Sequence, residues 1–258
     1  MRKWVWFIVL LALMATLVGC TNKNFLISGK DYQATVKTLG VLPLLVDSGS
    51  DITHPDREAV LQLIKTNNQG KIDYLVEKLK SSEGYFDVRP VMGDVDDLFI
   101  NLIQGKELVT RPGSFYRSYQ VNNAYAGELC RKNMVDGVLI IVLNGVVTPR
   151  KYWDRTRISY LQTDYNLVVE SALVVSADGK LLWEYSGNPS APFLPLQYPD
   201  FDEAHYNKTN KVRLKFITLN GLEKTLQEPS STLMEQNTVP KAYRKMLNRV
   251  ADKLKPGW

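Results

Sequence analysis

The chain has 258 residues, 45% of them hydrophobic and 23% charged, with 32 basic against 27 acidic side chains and a formal net charge of +5. That length supports one sizeable core without disulfide staples, and the mild basic excess does not by itself supply the concentrated face that nucleic-acid binding requires. Two cysteines, Cys20 and Cys130, and two histidines, His54 and His205, exclude a disulfide framework and leave little material for a metal site.

The first 20 residues open with Arg2 and Lys3, continue as an apolar run from Trp4 to Leu13, and close on Leu17-Val18-Gly19-Cys20. This is the pattern of a secretory signal peptide, and the run falls short of the roughly 20 apolar residues of a spanning helix. Its ending resembles a bacterial lipobox. The resemblance implies that residues 1–19 are removed and that Cys20 becomes an acylated first residue, carrying palmitate-type chains. The mature chain would then work in an oxidising compartment without ATP, with a side-chain charge of +3 once Arg2 and Lys3 are gone. Thr21 rather than Asp after Cys20 implies, by similarity to enterobacterial-type lipoproteins, sorting to the outer membrane with the body facing the periplasm. Anionic lipid head groups and cell-wall carboxylates are its expected neighbours.

Residues 20–34 read as a lipidated tether and 35–258 as a single αβ domain, with a core over 35–186 and an extension over 187–258. Val36 to Val46 is dense in aliphatics, as in a strand buried on both faces, and Pro43 ends it near Leu42 to Leu44. Thr53 caps a helix carrying Ala59, Val60, Leu63 and Ile64, and Ile72, Leu75, Val76 and Leu79 form the apolar stripe of a second. Tyr85 to Val91 is a strand, Asp94 to Gln104 a short helix, and Ala124 to Met134 a helix that buries Cys130. Val135 to Leu143 is the clearest core strand. Right-handed crossovers make this βαβαβ order a parallel layer with helices packed on it.

Arg157 to Ser176 is rich in β-branched and aromatic residues but too long for one ordinary strand. Asp178-Gly179 supplies a hairpin turn to Leu181–Tyr185, so an antiparallel hairpin extends the layer. Pro189, Pro192, Pro195 and Pro199 make an extended connector, Lys211 to Leu219 is a strand or a helix start, and Val239 to Leu254 is a C-terminal helix. The fold class is therefore α/β with an α+β tendency.

Gly40-Val41-Leu42-Pro43, Gly84-Tyr85-Phe86-Asp87-Val88-Arg89-Pro90 and Asp136-Gly137-Val138-Leu139-Ile140, followed by the long strand, the Asp178-Gly179 turn and Leu182-Trp183-Glu184, carry a resemblance over Val36 to Tyr185. The group resembled contains the curli-secretion channel lipoprotein CsgG, the penicillin-binding-protein activator lipoproteins and the N-terminal domain of the Tol-system β-propeller protein. What the resemblance implies is an αβ domain used for assembly or partner contact at the envelope, with no catalytic residues. A curli-type channel also needs two hairpins of alternating, lipid-facing strands about 10 residues long. No such pair is legible here.

No Gly-x-Ser-x-Gly elbow or phosphate-cradling glycine motif occurs, and Asp94, Asp96 and Asp97 sit where acids complement a helix N-terminus. His54 and His205, each near acids, would hold zinc only if their loops met; the expectation is solvated loop histidines, no metal and no cofactor. The segment Arg150, Lys151, Tyr152, Trp153, Arg155 and Arg157 interleaves four cations with two aromatics in a loop after the central strand, the residue types that dominate interfaces. Phe193 to Pro199 is a second candidate, suited to docking in a groove. The chain is thus expected to be a non-enzymatic module bound to the membrane through Cys20 and to an envelope protein. Peptidoglycan and a second copy of the chain are further possible partners.

Overall fold

The computed structural model describes residues 24–82, 84–111, 114–201, 212–230 and 239–255. Chain order gives α1 (Gly29–Thr35), β1 (Thr38–Val41), β2 (Leu45–Val46), α2 (Arg57–Asn68), α3 (Ile72–Lys80), β3 (Asp87–Pro90), α4 (Val95–Leu102), β4 (Ile103–Arg111), β5 (Ser114–Val121) and α5 (Asn123–Asn133). There follow β6 (Gly137–Trp153), β7 (Tyr160–Ser176), β8 (Leu181–Ser186), β9 (Leu194–Pro195), β10 (Gln197–Pro199), β11 (Leu214–Phe216), α6 (Leu219–Gln227) and α7 (Lys241–Lys253).

One sheet organises the molecule in the order β3-β1-β6-β7-β8, with β2 beside β6 and β9 beside β7. β1 is parallel to both β3 and β6, and β6, β7 and β8 are antiparallel neighbours, so the α/β class and the antiparallel extension hold. From β1 the chain crosses to β3 on one side and then back past β1 to β6 on the other. Right-handed crossovers in opposite directions put their helices on opposite faces. Accordingly Leu139, Ile141 and Leu143 of β6 pack with α1, α2, α3, α6 and α7, whereas Val138, Ile140 and Val142 pack with α4, α5 and Tyr119. Burial on both faces explains why Val138–Leu143 reads as an unbroken aliphatic run rather than an alternation. Cys130 lies in the second of these cores, and burial pushes its thiol up to about 11.

Several local expectations need correction. The first strand does stop before Pro43, at Val41; the unexpected feature is the separate short strand of Leu45 and Val46, which pairs in parallel with Val142 and Leu143. Thr53 is not a cap: its N–H donates to Asn166 Oδ1 at 2.9 Å, and α2 starts after Asp56. Tyr160–Ser176 is one 17-residue strand, paired with β6 without a register shift from Gly137↔Ser176 to Trp153↔Tyr160. The supposed tether is docked from its fifth residue: Phe25 bridges Trp183, Glu184 N–H donates to Asn24 O, and Gly29–Thr35 is helical. Residues 1–23, including the leader and Cys20, lie outside the described residues.

Two hairpins also appear where none was legible, β4–β5 and the distal half of β6–β7. Among the described residues their exposed positions mix polar Gln104, Glu107, Thr110, Lys151, Gln162 and Asp164 with apolar Leu108, Val147, Trp153 and Tyr160. Gly145 permits the loop after β2 to lie on β6, since a Cβ there would stand 2.6 Å from the Asp51 carbonyl carbon.

The C-terminal helix is clipped to the sheet by a buried ion pair. Arg249 Nε donates to Glu170 Oε1 at 3.0 Å, and Glu170 is fully buried. Desolvation raises the Glu170 pKa against the opposing pull of Arg249. The folded chain therefore binds this proton more tightly than the unfolded chain does. The stability linked to this proton is then greatest at low pH and declines as pH rises from the ordinary carboxylate value of about 4.3 through the raised one. Urea titrations across that window should show this slope in the natural chain and lose it in Glu170→Gln, while Arg249→Ala, which strands the carboxylate, should cost about 3–5 kcal/mol.

Candidate functional site

The segment singled out by its cations and aromatics is the end of the long hairpin, not a loop. β6 runs through Trp153, and only Asp154–Ser159 turns. Asp154 builds that turn: its N–H donates to Ser159 O at 2.9 Å, and its carboxylate accepts from Thr156 Oγ1 at 2.7 Å and Ile158 N–H at 3.1 Å. The Thr156 hydroxyl, ahead of the backbone donors, holds the Asp154 carboxyl below its ordinary range. Arg157 takes the left-handed conformation, φ 61°, that closes the turn.

Strand alternation divides the four candidates on β6 between two faces. Arg150 and Tyr152 belong to the framework: Arg150 donates to Tyr152 Oη at 2.5 Å and to Ser190 O at 3.0 Å, and the Tyr152 ring packs 4.5 Å from buried Tyr165. Lys151 and Trp153 point to the other face. There Lys151 Nζ lies 4.1 Å from the Trp153 ring centre and 3.6 Å from that of Tyr160, whose ring is 5.0 Å from Trp153. Arg155 and Arg157 stand exposed in the turn. Sequence reasoning missed Tyr160 and Ile158, which belong to the same patch; the signal was the pairing Trp153↔Tyr160, which only the hairpin register supplies. Trp153 is 48% exposed and Ile158 80%.

Among the described residues, the other candidates are engaged within the fold. Phe193, Leu194 and Leu196 are buried in their own domain's core, so this segment is no free docking strand. His54 is not solvated: its Nδ1 accepts from Asp56 N–H at 3.0 Å, so Nε2 carries the proton and donates to Ile217 O at 2.9 Å, and its ring packs on Phe216. His205 lies outside the described residues, and among those described no three histidines, cysteines or acids are placed to hold a metal. Asp94 caps α4, and Asp96 pairs with Lys65 at 2.6 Å. A cleft of about 390 Å³ at the C-terminal ends of β1 and β3, lined by Pro43, Leu44, Asn68, Pro90 and Met92, occupies a place where α/β sheets commonly bind ligands. Its inward polar group, Asn68, is already engaged by Tyr243 and Leu44.

A buried charge cluster joins the β4–β5 hairpin to the loop after β2. Fully buried Asp47 accepts from Lys106 Nζ at 2.7 Å and Tyr119 Oη at 3.0 Å, and Arg117 reaches Asp51 at 2.7 Å. Buried Arg117 Nε, 4.0 Å from Asp47 Oδ2, and buried Asn144 Oδ1 make no hydrogen bond.

No protein-family model matches the chain, and no curated protein matches it. Among solved structures, the PelC dodecamer from Paraburkholderia phytofirmans is similar at 11% identity and a TM-score of 0.30, covering 90% of this chain and 91% of that one. Lipoprotein GNA1162 from Neisseria meningitidis is similar at 15% identity and a TM-score of 0.25, covering 58% of this chain and 79% of that one. Similarities of this size leave any functional reading to the residues of the chain itself.

Trp153→Ala and Tyr160→Ala should each change unfolding free energy by no more than about 1 kcal/mol, since they remove exposed rings and one cation–π contact. Asp47→Ala should instead cost more, about 1–3 kcal/mol, by removing the buried acceptor of Lys106 and Tyr119, and should open the β4–β5 hairpin to trypsin at Lys106 and Arg117. Denaturant melts and timed proteolysis measure both.

Proposed function

We propose that this chain is a lipid-anchored protein of the bacterial envelope that performs no catalysis and acts as an interaction module, presenting the β6–β7 tip to a protein partner. The observation that carries the reading is the patch itself. Trp153, Ile158 and Tyr160 are solvated together at the end of a rigid hairpin, with Lys151, Arg155 and Arg157 around them, and none of the six is required by the core. Large apolar surface left outside a core, ringed by cations, is the composition of an interface hot spot. The lipobox-like Leu17-Val18-Gly19-Cys20 supports anchoring through acylated Cys20, and Thr21 favours the outer membrane with the body in the periplasm. Among the described residues no helix is long and apolar enough to cross a membrane. The partner is expected to be acidic at the contact, as a subunit of a secretion or other envelope assembly.

Binding to cell-wall glycan is the second reading, favoured by the adjacent Trp153 and Tyr160 rings, although Lys151 covers one face of each. Gentle solubilisation and cross-linked recovery from envelopes separate the two. A defined partner recovered with the natural chain should fall about tenfold or more with Lys151, Arg155 and Arg157 all changed to Glu, a loss of about 1.4 kcal/mol. Recovery as a lone monomer in both cases argues against the module. Sedimentation with purified peptidoglycan that vanishes in Trp153→Ala selects the glycan reading.

A further inference from the structure

Resting on the lipoprotein reading, we propose that the end of the sheet opposite the hairpin tip lies on the bilayer that holds the lipid anchor, so that the hairpin stands away from that membrane. The described chain begins at Asn24, tied by its carbonyl to Glu184 N–H, while Leu26 N–H donates to Leu182 O at 2.9 Å. Four Cα steps separate Cys20 from Asn24, a span of at most about 14 Å. An acylated Cys20 therefore holds this edge of the fold close to the head groups. The tip is elsewhere: β6 covers 17 residues from Gly137 to Trp153, about 55 Å at roughly 3.3 Å per residue.

The end of the sheet opposite the tip also presents solvated apolar side chains. The rungs Thr38↔Asp87, Leu39↔Gly137 and Gly137↔Ser176 define its level across the sheet. One residue beyond β3 is Phe86, 89% exposed, and preceding β6 is Met134, 76% exposed, with Leu26 at 55% beside β8. Met134 has no folding reason to be apolar. It sits at the left-handed C-cap of α5, φ 51°, where glycine or asparagine is the ordinary residue. Helices antiparallel to the strands they cross bring their C-termini to this end, and their last turns carry Lys78 and Lys80 in α3, Arg131 and Lys132 in α5, and Lys253 in α7. Acids at the same level are largely engaged: Asp136 accepts Lys37 and Thr38 N–H at 3.0 and 2.7 Å, and Asp87 pairs with Arg89 at 2.6 Å. Solvated apolar side chains among basic residues, beside a short lipid tether, complement an anionic head-group layer.

The test uses full-length acylated protein in vesicles of phosphatidylethanolamine and phosphatidylglycerol. Phe86→Cys, Met134→Cys and Ile158→Cys are each labelled with an environment-sensitive fluorophore; Cys130 is fully buried and escapes labelling. Quenchers attached to the lipid chains should extinguish the labels at 86 and 134 and leave the label at 158 as bright as in water. A quenched label at 158, alone or with the other two, overturns the upright orientation, as do unquenched labels at 86 and 134. Mass spectrometry of the N-terminal peptide scores the anchor separately. Acyl chains with unquenched 86 and 134 sink this proposal alone, whereas a Cys20 without them removes the lipoprotein reading and this orientation with it.

Discussion

The continuous ladder between β6 and β7 is the constraint on which the rest of the molecule depends. Over its proximal half both faces are buried, with Val138, Ile140 and Val142 turned to one core and Leu139, Ile141 and Leu143 to the other. A one-residue slip would exchange the two sets and misfit both cores at once, so register is fixed from two sides. That fixed register propagates into the distal half, where Trp153 meets Tyr160 although no core requires it. The tip is therefore ordered by packing far from itself.

The same rod separates two surfaces of different character. At its base, right-handed crossovers collect helix C-termini and the basic side chains that suit the negative ends of helix dipoles. At its tip, strand alternation sorts Arg150 and Tyr152 inward and Lys151 and Trp153 outward. If the proposed contacts are made, a membrane at one end and a partner at the other, the hairpin's length keeps them apart.

Buried charges attach the peripheral elements to this frame. Glu170 with Arg249 fixes the C-terminal helix, and Asp47 with Lys106, Tyr119 and nearby Arg117 fixes the β4–β5 hairpin. Burying an ion pair gains little net stability over an apolar pair of the same shape, but a misplaced partner is heavily penalised. These pairs therefore select one docking of each element. Trp183 serves both ends of the chain in the same sense: its indole N–H donates to Lys253 O, and its backbone bridges Phe25.

Local chemistry determined what lay within a few residues: the signal-like leader, the aliphatic run of Val135–Leu143, the two helices over 57–80, the burial of Cys130, the Asp178-Gly179 turn and the amphipathic C-terminal helix. It also marked Trp153 and its neighbouring cations as a group. Tertiary structure decided what depended on distant segments. Pairing of Ile103–Arg111 with Ser114–Val121, a mixed stretch with no clear period, is secured by Asp47, which is 59 residues from Lys106. His54 was drawn inward by Ile217, and Phe193–Leu196 by the shared core, neither of which leaves a mark on local sequence. The polar-looking N-terminal stretch became structure because β8 offered it an edge. Periodicity and turn residues report the conformation a segment prefers by itself, whereas pairing partners, burial of isolated polar groups and the two ends of the hairpin arise from contacts between segments far apart along the chain.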